Sequence, residues 1–145
     1  MAQRGIGMRF LGDFMTQQIE YDLLVIGAGS GGVRAARKSA EFGARVAVIE
    51  KAALGGTCVN VGCIPKKLYV YASQYGAAWR DSSGFGWQCE EISFDWNTLR
   101  DNKTKEIARL NAIYERLLAA TGVDIIQGHG KLTGPKKVSV GDTSY

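Results

Sequence analysis

The chain has 145 residues, 46% of them hydrophobic and 22% charged, enough for one domain with a real core and unlike a disordered or fibrous protein. Its formal charge of +4 is spread along the chain, with small groups at Arg34, Arg37, Lys38 and at Lys66, Lys67. No long basic run alternates with aromatics and no apolar run reaches membrane-spanning length, so neither nucleic acid nor a membrane is an expected partner.

Residues 1–18 are rich in glycine and methionine and carry no helical period or signal-peptide pattern. They read as a disordered extension ahead of a folded unit at 19–145, with Met15 an alternative start. Three cysteines without a signal peptide point to a reducing cytoplasm, where a disulfide serves catalysis more often than architecture.

Tyr21–Ile26 is a short apolar, β-branched run that reads as a buried central strand of a parallel sheet. Gly27-Ala28-Gly29-Ser30-Gly31-Gly32 follows, then a helix over Val33–Phe42 stopped by Gly43, and a second buried strand at Arg45–Glu50. This is a β–α–β unit with G-x-G-x-x-G at Gly27, Gly29 and Gly32, and an acid 18 positions beyond the last glycine. The first glycine makes the tight turn, the second lets a pyrophosphate approach the backbone, and the third lets helix and strand pack closely. Phosphates then rest on the free amides of the helix N-terminus, where Ser30 adds a hydroxyl. Glu50 can accept from ribose hydroxyls and would repel a 2′-phosphate. A dinucleotide site is expected.

After Lys51–Leu54 comes Gly55-Gly56-Thr57-Cys58-Val59-Asn60-Val61-Gly62-Cys63-Ile64-Pro65-Lys66-Lys67. On a regular helix, residues five apart are separated by about 7.5 Å along the axis, whereas a disulfide needs Cα atoms within about 7 Å. Pairing of Cys58 with Cys63 therefore requires a distorted backbone near Gly62, with regular helix starting near Pro65. So small a ring stabilises by only about 2 kcal/mol, which suits a bond made to be opened and closed. Nearby lysines and a helix N-terminus favour thiolate over thiol. The residues alone leave a redox dithiol and two small buried cysteines both open. Zinc would need a second ligand pair, and Cys89 and His129 have no ligand spacing, so no metal is expected.

Leu68–Trp79 continues as a helix whose Tyr69, Tyr71, Tyr75 and Trp79 read as core and interface packing. Asp81–Gly84 reads as a loop, Phe85–Trp87 as irregular, and Cys89 as a passive thiol. Asp95 caps a long helix to about Ala120, with Ile107, Leu110, Tyr114 and Leu117 as its apolar stripe and Thr121-Gly122 as its stop. Val123–Gln127 is a further strand. Leu132-Thr133 and Val138–Val140 form a hairpin about Gly134–Lys137, followed by a tail with no terminal element. The expected class is α/β, a Rossmann-like, doubly wound dinucleotide-binding domain, incomplete, with a terminal β-hairpin or meander.

Both motifs in this order resemble the class I pyridine nucleotide–disulfide oxidoreductases, whose pattern G-G-x-C-x(4)-C-x-P is present from Gly55 to Pro65. The likeness covers residues 21 to about 140. It is strongest to the subgroup reading G-G-T-C-V-N-V-G-C-V-P-K-K, from which only Ile64 departs, and whose substrate is glutathione disulfide. The resemblance implies bound FAD and electron flow from NADPH, held outside this chain, through flavin to the disulfide. It implies that Cys63 is the flavin-facing thiol and Cys58 the one that attacks substrate. Ser30, Gly31, Glu50, Thr57, Cys58 and Lys66 would line FAD, with Lys67 as an alternative to Lys66, and Gly130 would meet the adenosine half. Ser30, Arg37 and Tyr114 would contact glutathione.

Basic Arg34 and Arg37 favour an anionic substrate over a cationic trypanothione-type one, and Lys66 stands where dihydrolipoamide enzymes carry serine. The family's catalytic histidine lies late in a longer, homodimeric subunit, so His129, the only histidine here, is not given that role. The chain is expected to be an N-terminal portion of such an enzyme, inactive alone. The contrary reading is a truncated flavin-binding module without reductase activity.

Overall fold

A computed structural model of the chain describes residues 20–88 and 92–145. The extension expected at 1–18 and the passive thiol expected at Cys89 lie outside the described residues.

Ten named elements follow in order: β1 (Leu23–Ile26), α1 (Ser30–Glu41), β2 (Val46–Glu50), α2 (Gly56–Asn60), α3 (Cys63–Ser82), α4 (Trp96–Ala119), β3 (Asp124–Gln127), β4 (Gly130–Gly134), β5 (Lys137–Val140) and β6 (Thr143–Ser144). The first three strands form a parallel sheet in the order β1-β2-β3, with Val25 opposite Val48 and Val48 opposite Ile125. The last three form an antiparallel meander. The α/β class and the terminal meander are as expected.

Every residue of β2 is buried, which is the burial an unbroken Val-Ala-Val-Ile run anticipates. Successive strand side chains point to opposite faces. Val46 and Val48 join Ala28, Val33, Ala36, Leu118 and Val123 in the core, where α1 and α4 pack. A Cβ on Gly130 would come within 3.2 Å of Ile49 Cγ2, so the start of the meander closes against the opposite face.

Several boundaries differ from the sequence reading. β1 is not the buried central strand: it lies beside β2 and its residues are half-buried, with Ile26 exposed. α1 begins at Ser30, not Val33, because the glycines enter its first turn. The residues expected to form a loop at 81–84 instead finish α3 and enter a short 3-10 turn over Ser83–Phe85. The chain end is also not bare, since Thr143–Ser144 pairs with β5. The helix expected from Asp95 is present, and the Asp95 carboxylate accepts from the amides of Asn97 and Thr98 at 3.0 and 3.1 Å.

The α3 aromatics are not core. Tyr75 is 78% exposed, Tyr71 and Trp79 are also exposed, and Tyr69 stacks on Trp96 of α4 with centroids 5.5 Å apart. Tyr69, Tyr75 and Trp79 border an open apolar groove of about 500 Å³ shared with Phe94 and Trp96. On α4 the fully buried residue is Leu118, one position off the expected stripe, whose members are only half-buried. Among the described residues no helix is long and apolar enough to cross a membrane.

Candidate functional site

The three motif glycines sit in three different environments. Gly27 has φ +99, a left-handed turn that other residues rarely adopt. A Cβ on Gly32 would fall 1.9 Å from the Gly27 carbonyl oxygen, so helix and strand touch there. At Gly29 the nearest contact of an added Cβ is 3.9 Å away, an ordinary distance. Packing within this chain therefore does not itself require glycine at Gly29. No side chain caps α1, and its first turn holds no acidic residue. The amides at this helix start are therefore free to receive an anion.

Glu50 ends β2 and is the one buried charged residue among those described. Its carboxylate accepts from the Ala28 amide at 2.7 Å and the Ala52 amide at 2.9 Å, while its carbonyl accepts from the Gly128 amide at 2.8 Å. One residue thus ties the β1–α1 turn, the loop after β2 and the β3–β4 turn together. The sequence reading assigned Glu50 to ribose alone and missed this. Each carboxylate oxygen retains a second acceptor position, and Glu50 lines a cleft of about 240 Å³ with Gly27, Ile49, His129 and Gly130. The residues present therefore fit a dinucleotide.

The dithiol stretch lies against this frame. Gly55 bridges Gly29 and donates its amide to the Ala28 carbonyl at 2.8 Å, and a Cβ on Gly56 would sit 2.8 Å from the Gly29 Cα. The helix is broken between the cysteines, the distortion near Gly62 that their pairing would require. α2 ends at Asn60, Gly62 has φ −121 and ψ −111, and α3 starts at Cys63. A Cβ at Gly62 would lie 2.9 Å from the Thr57 carbonyl oxygen, so close packing of the turn demands glycine. α3 begins at Cys63 rather than near Pro65, which is its third residue. Proline is tolerated there because the first intrahelical bond is donated by Lys66 to the Gly62 carbonyl.

Both cysteines are thiols in this structure, Cys58 half-buried and Cys63 exposed. Hydrogen bonding to Cys63 pushes the Cys58 thiol above its ordinary value, with desolvation and the charge of Cys63 acting in the same direction. Lys66 pulls it down, but by less. At Cys58 the pull of Lys66 is thus outweighed by the neighbouring thiol. Alkylation by iodoacetamide needs the thiolate, so the Cys58 rate in the reduced chain should reach half-maximum at a pH above that of a free cysteine. Cys63→Ala should lower that midpoint and Lys66→Gln should raise it. Unchanged midpoints in both variants, followed by peptide mass spectrometry, would contradict the thiol–thiol contact.

The other candidates are placed as follows. Ser30 and Gly31 are exposed at the start of α1, and Thr57 is exposed in α2. The Lys67 ammonium lies 5.5 Å from the Tyr71 ring centroid, so Lys66 is the lysine whose charge reaches Cys58. Arg37 is half-buried on α1, 3.8 Å from Glu41, and its Nε has no partner among the described residues. Tyr114 on α4 packs against the core cluster, and α1 and α4 pack together. Arg37 and Tyr114 are not among the residues lining the Glu50 cleft. His129 borders the Glu50 cleft, apart from the cysteines. Among the described residues no cluster could hold a metal ion.

A parallel sheet with a free helix N-terminus, a buried acid at the end of its second strand and an adjoining dithiol defines a dinucleotide-linked thiol oxidoreductase segment. Residues 21–145 match the pyridine nucleotide-disulphide oxidoreductase family, and the chain belongs to it. It is 51% identical over 124 residues to a glutathione reductase of Burkholderia cepacia, covering 86% of this chain and 28% of that protein. It is 41% identical over 126 residues to a glutathione reductase of Nostoc sp., covering 87% and 28%. To the chloroplastic/mitochondrial glutathione reductase of Pisum sativum it is 44% identical over 140 residues, covering 89% and 25%. The chain spans about a quarter of the length of these relatives.

Proposed function

We propose that this chain is the N-terminal, FAD-binding and dithiol-bearing portion of an NADPH-dependent reductase of glutathione disulfide. The observation that carries the reading is the Gly29–Gly55 bridge, which joins an anion-ready helix start to the cysteine loop. FAD would be held by the amides at Ser30 and Gly31, by Gly27, Gly29 and Gly32, by Glu50 and Gly130 at the cleft, and by Thr57, Cys58 and Lys66. When bound it would supply the two-electron link between NADPH, bound outside these residues, and the disulfide.

The cysteines divide the thiol work. The Cys58 thiolate attacks one sulfur of glutathione disulfide, forming a mixed disulfide and releasing one glutathione. Cys63 then attacks the Cys58 sulfur, releasing the second glutathione and closing the Cys58–Cys63 disulfide. We assign Cys63 the flavin-facing side, at the first residue of α3, where helix amides favour negative charge. The raised Cys58 requires a proton acceptor. That role goes to a histidine elsewhere in the homodimeric full-length protein, not to His129. Ser30, Arg37 and Tyr114 are assigned to glutathione. The positive charge of Arg37, half-buried on α1 beside Glu41, is what suits an anionic substrate. A reducing compartment such as the cytoplasm suits this chemistry.

The test is NADPH oxidation by the full-length protein with glutathione disulfide, lipoamide and a cationic trypanothione-type disulfide in parallel. Glutathione disulfide should be turned over fastest. Equal or faster rates with either competitor would sink the substrate assignment, and a purified full-length protein that stays colourless after FAD addition would sink the cofactor.

A further inference from the structure

We propose that Asn111 of α4 is a positioning residue for the Cys58–Cys63 couple, holding the loop so that its disulfide is favoured in exchange with other thiols. The inference rests on the redox reading of the dithiol. Asn111 Nδ2 donates to the Leu54 carbonyl at 2.7 Å and to Asn60 Oδ1 at 3.0 Å. These bonds span 57 and 51 residues of sequence, and both side chains are half-buried. Asn60 Nδ2 in turn donates to the carbonyls of Leu54 and Gly56 at 3.0 and 2.9 Å. With its nitrogen committed to α2's own approach loop, the Asn60 oxygen faces α4 and is met by Asn111.

Cys58 lies inside α2, between Gly56 and Asn60, and Cys63 follows after Val61 and Gly62. On its other side the same loop is fixed by the Gly55 amide on the Ala28 carbonyl. Two anchors, one on the nucleotide side and one on α4, thus hold α2 relative to the start of α3. The closer two groups are held to their bonded geometry, the higher their effective concentration for each other. Removing the α4 anchor frees α2 and lowers that concentration, which weakens the disulfide relative to the dithiol.

The measured reaction is balanced. The Cys58 and Cys63 thiols plus glutathione disulfide give the intramolecular disulfide and two glutathiones, with two electrons passing to glutathione and both protons ending on its thiols. The 145-residue chain carrying Cys89→Ser is equilibrated in glutathione buffers, acid-quenched and read by mass. Asn111→Leu, similar in size but without donors, is expected to lower the constant for disulfide formation about tenfold, the factor by which freeing α2 would cut the effective concentration of the two thiols for each other. That is a rise of about 30 mV in reduction potential.

Asn111→Asp, which presents an acceptor to two acceptors, should shift it the same way and serves if the leucine variant does not fold. Asp95→Ala weakens the same helix at its cap and should leave the constant within about twofold of the parent, a change too small to count as a hydrogen-bond loss. The proposal is overturned if neither Asn111 variant moves the constant, or if Asp95→Ala moves it equally. A parent chain that forms no Cys58–Cys63 disulfide at any buffer ratio overturns the redox reading, and this inference with it.

Discussion

Replacing Gly32 by alanine is expected to cost about 3 kcal/mol or prevent folding, the upper end of what a forced extra methyl does in a packed interior. The added Cβ would lie 1.9 Å from the Gly27 carbonyl oxygen, 3.0 Å from its carbon and 3.2 Å from Val25 Cγ1. The first two are backbone atoms that no rotamer change can move. Relief requires lifting α1 from β1, and Val33 and Ala36 would leave the core with it. Gly31→Ala is the matched control. It sits one residue earlier in the same turn, its Cβ would meet nothing within 4 Å, and a helical alanine is better than glycine by about 1 kcal/mol. Urea titrations of the two variants should therefore move in opposite directions. If Gly32→Ala unfolds at the parent midpoint, the close helix–strand contact is wrong.

Glu50→Ala is expected to destabilise the chain by about 3 kcal/mol without any nucleotide present. Hydrogen bonds to a charged acceptor contribute about 1.5–3 kcal/mol each, and their loss strands the donors. Here the amides of Ala28 and Ala52 would both lose their acceptor. Glu50→Gln should fall between, because its Nε2 must face one of these N–H groups with a donor of its own. A residue that served only a ribose would leave the stability of the ligand-free chain untouched. Equal urea midpoints for parent and Glu50→Ala would therefore return Glu50 to the simpler role. A large drop would mean that FAD affinity measured on Glu50 variants mixes loop collapse with lost ribose contacts.

Much of the frame was legible because local sequence patterns settle it. The apolar run at 46–50 cannot be exposed, glycine at 27 answers a backbone need, and Asp95 satisfies helix amides within three residues of itself. A break between the cysteines was expected on the condition that they pair, since a regular helix would hold them too far apart. Boundaries failed where neighbours distant in sequence decide. The run at 81–84 looked like a turn by composition, yet α3 carries through to Ser82. The α3 aromatics looked like core and interface packing by content, but burial depends on what covers a face, and here only Tyr69 is covered, by Trp96, while Tyr71, Tyr75 and Trp79 stay exposed.

The site divides the same way. Residue types at fixed spacing, glycines, an acid and two cysteines, mark the chemistry, because phosphate, ribose and disulfide each demand particular atoms at short sequence range. What holds those atoms in place is long-range. Glu50 grips Ala28 across 22 residues, Gly55 meets Gly29, and Asn111 reaches Leu54 across 57. Hydrogen bonds of that kind leave no periodicity or motif, since any asparagine or carboxylate could form them once the fold brings the partners within 3 Å. The chain's own letters marked a dinucleotide-type glycine motif, an acid and a cysteine pair, and only the packed molecule set which side chains hold them and that the Cys63 side chain outweighs Lys66 in raising the pKa of Cys58.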